Sequence, residues 1–226
     1  MTRTPTPDDV ARFDAVLFDM DGTLVDSEPI WFAVMQEVAA RFGAPLPDDA
    51  HARLRGVDRD ASMALLRAHY GLEVDPPAFW GAVMERLVDA VAAVPAMPGA
   101  AAWVEALAAA GRPRAVVSNS PRAMIEASLA PHAWGAHVTV RLGADEVPRP
   151  KPAPDGYRLA ATRLGVAAER CLVLEDSEAG VLAARAAGAA ALLITRGETP
   201  SRAAREAATW EVASLDAVHP AFPPPT

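Results

Sequence analysis

Short apolar runs recur along the chain at Ala15–Phe18, Ala115–Val117, Val138–Leu142, Cys171–Leu174 and Ala191–Thr195. They are too short for helices and suit parallel strands buried on both faces. Helical patterns lie between them, over Ala100–Ala110, Arg122–Leu129, Asp155–Leu164 and Glu178–Ala187. Gly111, Gly165 and Gly188 follow three of these patterns at the position where a left-handed residue ends a helix. Strand and helix alternating in this way predict an α/β fold, a doubly wound parallel sheet of Rossmann-like form. Ligands of such a sheet bind beyond the carboxyl ends of its strands.

Between Ser27 and Val94 the rhythm changes. Trp31, Met35, Val38, Ala39 and Phe42 recur at helical spacing, as do Ala61, Ala64, Leu65 and Ala68, and then Phe79, Trp80, Val83, Met84, Leu87 and Val91. No strand pattern interrupts them. An α-helical domain over residues 27–95 is therefore expected as an insertion after the first strand, with residues 1–26 and 96–226 forming the α/β core. Pro95, Pro98 and Gly99 mark the return to the core as a linker.

The length of 226 residues agrees with one core carrying an insertion. Alanine supplies 51 of those residues, so much of the apolar content favours helix without adding bulk. The longest apolar stretch, Ala186–Ile194, is far too short to cross a bilayer, and Met1–Arg12 is polar and lacks the apolar segment of a secretory signal. A cytoplasmic protein is expected, and the lone Cys171 within an apolar run reads as a small core residue. A net charge of −8 argues against nucleic acid or an anionic membrane as partner. The basic residues are 20 arginines and one lysine, Lys151, so that lysine stands out.

The first run leads into Asp19-Met20-Asp21-Gly22-Thr23. If the strand continued through them, both carboxylates would share one face and repel, which a cation or a reaction relieves. A hard ion such as Mg²⁺ takes one or two carboxylates and keeps positions for water and phosphate oxygens. Alone, the pair fits a solvated loop equally well. Three further strand ends change that reading. Ser118-Asn119-Ser120-Pro121 offers a hydroxyl and backbone N–H groups, although it also fits an ordinary helix cap. Lys151 lies between Pro150 and Pro152, and Glu175-Asp176-Ser177 adds a second acidic pair. A parallel sheet brings all four points to one edge. A carboxylate can attack phosphorus, a metal and a lysine can neutralise phosphoryl charge, and backbone donors can hold its oxygens, so phosphoryl transfer is the fitting chemistry. A phospho-accepting receiver domain fits less well, because its acid pair precedes a separate acceptor and it has no helical insertion. A non-catalytic binding module on the same fold would be favoured by loss of a motif residue, and none is lost.

The four motifs, in this order, resemble the haloacid dehalogenase superfamily of phosphatases and phosphotransferases, in its branch of β-phosphoglucomutase-like and sugar-phosphatase-like enzymes. The resemblance runs from Ala15 to about Asp216. It implies that Asp19 attacks phosphorus and becomes an aspartyl phosphate, and that Asp21 is the general acid and then the general base. Lys151 would bridge nucleophile and phosphate, and Ser118, Asn119 and Thr23 would lie at the phosphoryl group. Mg²⁺ would be held by Asp19, the Asp21 carbonyl and Asp176, with Glu175 close by, directly or through water. The insertion resembles the family's helical cap domain. Asp21 speaks for phosphate-ester chemistry, because the dehalogenases and phosphonatases of the family lack an Asp there.

Arg55-Gly56-Val57-Asp58-Arg59-Asp60 is similar to the substrate loop of the hexose-phosphate mutase, and mutase activity is the alternative reading. The mutase, however, has a histidine where this chain has Trp31, and a cap lysine that this chain lacks. Hydrolysis of a small phosphorylated metabolite, a sugar phosphate by resemblance, is favoured, with Arg59 as the specificity residue and a monomer as the expected state. The histidines His51, His69, His132, His137 and His219 lack metal-ligand spacing and receive no role.

Overall fold

A computed structural model describes residues 4–54, 57, 59–218, 220 and 222. The chain divides into two compact units, Met1–Asp26 with Val94–Thr226, and Ser27–Ala93. In the first, six parallel strands lie in the order β3-β2-β1-β4-β5-β6. They are β1 (Ala15–Phe18), β2 (Arg114–Val117), β3 (Val140–Leu142), β4 (Cys171–Glu175), β5 (Ala190–Ile194) and β6 (Trp210–Val212). Each residue of β1 and β4 is buried, as two-sided coverage requires. The strand order reverses between β1 and β4, whose register sets Phe18 beside Leu174 and so brings Asp19 and Glu175 to neighbouring strand ends. That reversal opens the ligand crevice of a doubly wound sheet.

Helices α6 (Ala100–Ala109), α7 (Arg122–Leu129), α8 (Asp155–Leu164) and α9 (Glu178–Ala187) connect the strands, and α8 and α9 end on left-handed Gly165 and Gly188. Alanines do much of the packing. Ala160 and Ala161 of α8 and Ala183, Ala184 and Ala187 of α9 meet Leu17, Val117, Leu142 and Val173 of the sheet in one buried cluster. Small side chains let these helices lie close to the sheet without leaving voids.

The structure differs from the sequence reading in several places. Strand β3 begins at Val140, because Val138 ends the 3₁₀ turn Ala133–His137. Strand β6 and the short helices α1 (Pro7–Ala11) and α10 (Arg202–Ala207) were not expected. Helix α1 is fixed by a capping box, in which Thr6 and Asp9 satisfy each other's backbone N–H groups.

The second unit contains α2 (Glu28–Arg41), α3 (Ala50–Leu54), α4 (Arg59–Tyr70) and α5 (Pro76–Ala90). Helix α2 packs on α5 through Val34, Met35, Val38 and Ala39 against Phe79, Val83 and Leu87. On α4 the expected face is corrected. Ala64 and Ala68 are exposed, and Ser62, Met63 and Leu66 are buried. Burial follows apolar area, and Met and Leu each carry far more of it than Ala.

Candidate active site

Four segments at the carboxyl ends of the strands build the site. Strand β1 releases the chain at Asp19, whose N–H donates to the Leu174 carbonyl at 2.9 Å and pins it beside β4. Asp19 is 7% exposed. The Lys151 ammonium donates to Asp19 Oδ1 at 2.5 Å and to Glu175 Oε1 at 2.6 Å. Burial works against that ammonium, but the charges of Asp19 and Glu175 overcome it and hold Lys151 firmly protonated. Burial pushes the Asp19 carboxyl well up, with Glu175, Asp176 and Asp21 adding to the rise and Lys151 opposing it.

Glu175 is fully buried and accepts at both oxygens. Oε1 takes Lys151 and the Tyr157 hydroxyl, the latter at 2.7 Å, and Oε2 takes the Ser177 N–H at 3.1 Å and the Ser177 hydroxyl at 2.8 Å. Four donors fill the four lone-pair directions of this carboxylate. The Tyr157 ring lies under Lys151 Nζ, 5.1 Å from its centroid. Burial and then the Glu175 charge push the Tyr157 phenol well up, so it stays a donor. Gly180, in the first turn of α9, leaves room for this carboxylate, since a Cβ there would lie 1.7 Å from Glu175 Oε1.

Past Asp19 the strand has ended, and Asp21 does not share a strand face with it as the sequence suggested. Asp21 lies in the turn, where its Oδ2 accepts from the Ser118 hydroxyl at 3.1 Å and the Ser120 hydroxyl at 3.0 Å. Asn119, expected at the phosphoryl oxygens, spends both ends of its amide on the Lys151 backbone, donating to the carbonyl at 3.1 Å and accepting from the N–H at 2.9 Å. An amide matches a peptide unit donor for acceptor, so Asn119 fixes the loop that carries the lysine. Thr23, also expected at the phosphate, is 1% exposed, with its Oγ1 buried and unpartnered. Arg59 belongs to the helical unit, where its guanidinium lies over the Trp80 ring at 5.5 Å and meets Met84 Sδ at 3.5 Å. Arg55, Gly56, Asp58 and His219 lie outside the described residues.

Asp19, Glu175 and Asp176 offer oxygens within 4.8 Å of one another. Burial, and then the Glu175 charge, push the Asp176 carboxyl up to about 7. An acid-only donor set, buried at Asp19 and Glu175 and half-buried at Asp176, whose charges repel suits a hard divalent cation, which relieves that repulsion. Because Glu175 is saturated by its four donors, Asp19 and Asp176 have the freer oxygens. Gly22 is left-handed at φ +79°, and a Cβ on it would lie 1.9 Å from Asp176 Oδ2. Cys171 stands apart as a buried free thiol, pushed up to about 11 mainly by burial, in keeping with a small core residue.

Sequence reasoning missed Tyr157, Ser120, Ser177 and Arg196, the last with Nη1 3.6 Å from Asp176 Oδ2. Ser120 stood within a motif that was read for its neighbours, whereas Tyr157 and Arg196 carry no local signal and reach the site only through the fold.

The model of the haloacid dehalogenase-like hydrolases matches residues 13–188. Fructose-1-phosphate phosphatase YqaB of Escherichia coli K12 is 34% identical over 182 residues, 78% of this chain and 94% of that protein. The phosphorylated carbohydrates phosphatase of Thermotoga maritima is 30% identical over 176 residues, 77% of this chain and 82% of that one. A HAD family hydrolase of Deinococcus radiodurans R1, crystallised with bound phosphate and sodium, superposes with a TM-score of 0.73 at 36% identity, covering 92% of this chain and 93% of its own. A buried carboxylate at the end of β1, a lysine clamped to it and an acidic pair at the end of β4 thus stand on a chain whose sequence and fold are shared with these enzymes, and the chain belongs to the haloacid dehalogenase-like hydrolase family.

Proposed function

We propose that the protein is a Mg²⁺-dependent phosphatase of small phosphate monoesters, sugar phosphates first among them. The observation that carries this reading is the Lys151 ammonium held 2.5 Å from Asp19, with Asp21 two residues on bound by two hydroxyls. An Asp19 oxygen attacks phosphorus, the bond from phosphorus to the ester oxygen breaks, and that oxygen leaves with the electron pair. Asp21 delivers a proton to it. The resulting carboxylate of Asp21 then takes a proton from water, whose oxygen attacks the aspartyl phosphate and releases phosphate and free Asp19.

Lys151 neutralises charge on nucleophile and phosphoryl group, and Ser118 orients Asp21 and reaches a phosphoryl oxygen. Asp19, the Asp21 carbonyl and Asp176 would hold Mg²⁺, with Glu175 behind them, and the ion supplies charge neutralisation for the phosphoryl group. The acid-only donor set supports this choice of ion, and the activities named for the two curated relatives support the sugar-phosphate class. The helical unit, residues 27–93, serves as the cap domain, and Arg59 as its specificity residue. Arg59→Ala then raises KM severalfold with little change in kcat.

The test is phosphate release from a panel of sugar phosphates, with Mg²⁺ or with EDTA, for the wild type and for Asp19→Asn. Metal-dependent release that falls by about a thousandfold or more in Asp19→Asn supports the reading. Interconversion of glucose 1-phosphate isomers without phosphate release would establish a mutase instead.

A further inference from the structure

Beyond β5 the chain makes a left-handed turn at a residue that is not glycine. Arg196 has φ 54° and is followed by Gly197 at φ 81°. Non-glycine residues hold that conformation where surrounding structure imposes it, and such places cluster at functional sites. The Arg196 N–H donates to the Ala213 carbonyl at 3.0 Å, which fixes the turn. From there the guanidinium reaches two carboxylates, with Nη1 3.6 Å from Asp176 Oδ2 and Nη2 3.4 Å from Asp26 Oδ1. The contact with Asp176 occupies the space over Gly22, where a Cβ would lie 1.9 Å from Asp176 Oδ2 and 2.9 Å from Arg196 Nη1. Arg196 and Asp26 also line a cavity of about 610 Å³, together with Thr23, Met97 and Ser214 among others. The guanidinium thus lies between the two carboxylates and borders open space.

A fixed positive charge beside a metal-ligating carboxylate opposes the binding of a cation to it. Arg196 stands in that place, and Asp26 offers it a second partner. We infer that Arg196 is a positioning residue that sets the Mg²⁺ affinity of Asp176, competing with the ion and released toward Asp26 when the ion binds. This inference rests on the proposed Mg²⁺ site. It gives Arg196 and Asp26 effects of opposite sign. Without Arg196 the ion meets no guanidinium at Asp176, while Lys151 stays on Asp19, and without Asp26 the guanidinium leans more fully on Asp176.

The test is calorimetric titration of the metal-free protein with MgCl₂, which needs no turnover. Arg196→Gln tightens binding by about tenfold and Asp26→Asn weakens it by about threefold. The double variant binds as Arg196→Gln does, because Asp26 acts through the arginine. Arg196→Gly, which suits the left-handed turn, repeats the Gln result should Gln disturb the backbone. Wild-type or weaker binding in both Arg196 variants would overturn the inference, and so would an Asp26→Asn effect of the same size with and without Arg196. Asp176→Asn separates the two levels of the argument. If it binds Mg²⁺ as well as the wild type, or if the wild type binds none, the metal site itself is refuted.

Discussion

Glu175 and Asp176 are adjacent acids with different work. Glu175 points into the protein and is saturated by Lys151, Tyr157 and two groups of Ser177. Replacing it with Gln sets an amide NH₂ against donors and leaves Lys151 with one carboxylate in place of two. Unpaired buried charges and donors are costly, so Glu175→Gln is expected to lower stability by about 2–4 kcal/mol in urea unfolding. An unchanged midpoint would show that the four hydrogen bonds do not hold the lysine. Cys171 gives the pH-dependent case. Burial raises its thiol from 9.0 to about 11 in the folded chain, so the folded state favours the protonated form. That stability is fully present below pH 9.0 and lost as pH rises through about 11. Cys171→Ala should therefore flatten the alkaline fall in stability over that window, and the native wild-type thiol should resist alkylation until the protein is unfolded.

At the scale of elements, the junction of β4 and α9 is the most constrained. Ser177 caps α9 by accepting from the Gly180 N–H at 3.0 Å while its hydroxyl donates to Glu175. Gly180→Ala would drive a Cβ into a carboxylate that four donors hold in place. Overpacking of this kind costs about 1–3 kcal/mol, and because the displaced group anchors Lys151, turnover is expected to fall with the melting temperature. A fully active Gly180→Ala variant would mean that Glu175 has room to move. The four strand ends were legible from sequence because each joins a short apolar run to chemically marked residues, and parallel topology does the rest. Strand β6, only Trp210–Val212, has no apolar run to announce it. The face of α4 was misread because its alanines fit the helical period as well as Met63 and Leu66 do, and period alone does not weigh area. Met63→Ala should accordingly destabilise the helical unit by about 2–4 kcal/mol, whereas exposed Ala64→Ser should cost a few tenths, which thermal melts would separate.

At the scale of the whole chain, the helical insertion leaves and rejoins the first unit at one point. Val25 pairs antiparallel with Ala96, the Asp26 N–H donates to the Pro95 carbonyl at 2.9 Å, and the Met97 N–H donates to the Leu24 carbonyl at 2.9 Å. The ends of the excursion are thus fastened to each other by the first unit's own hydrogen bonds. A short flexible linker can span them at little cost in loop entropy. Asp19, Asp21, Ser118, Lys151, Glu175 and Asp176 all lie in that unit, as does the buried cluster beneath them. Replacing residues 27–93 with a Gly-Ser linker should leave a chain that melts cooperatively and, if the proposed ion site is right, is still stabilised by Mg²⁺, while selectivity among phosphate esters is lost if these helices serve as the proposed cap. The excised helices, a small core without disulfides, should be marginally stable alone. Loss of cooperative melting in the linked core would show that the sheet depends on the insertion for its fold. Retention of the Mg²⁺ effect would place the ion site wholly within the strand ends that the sequence marked.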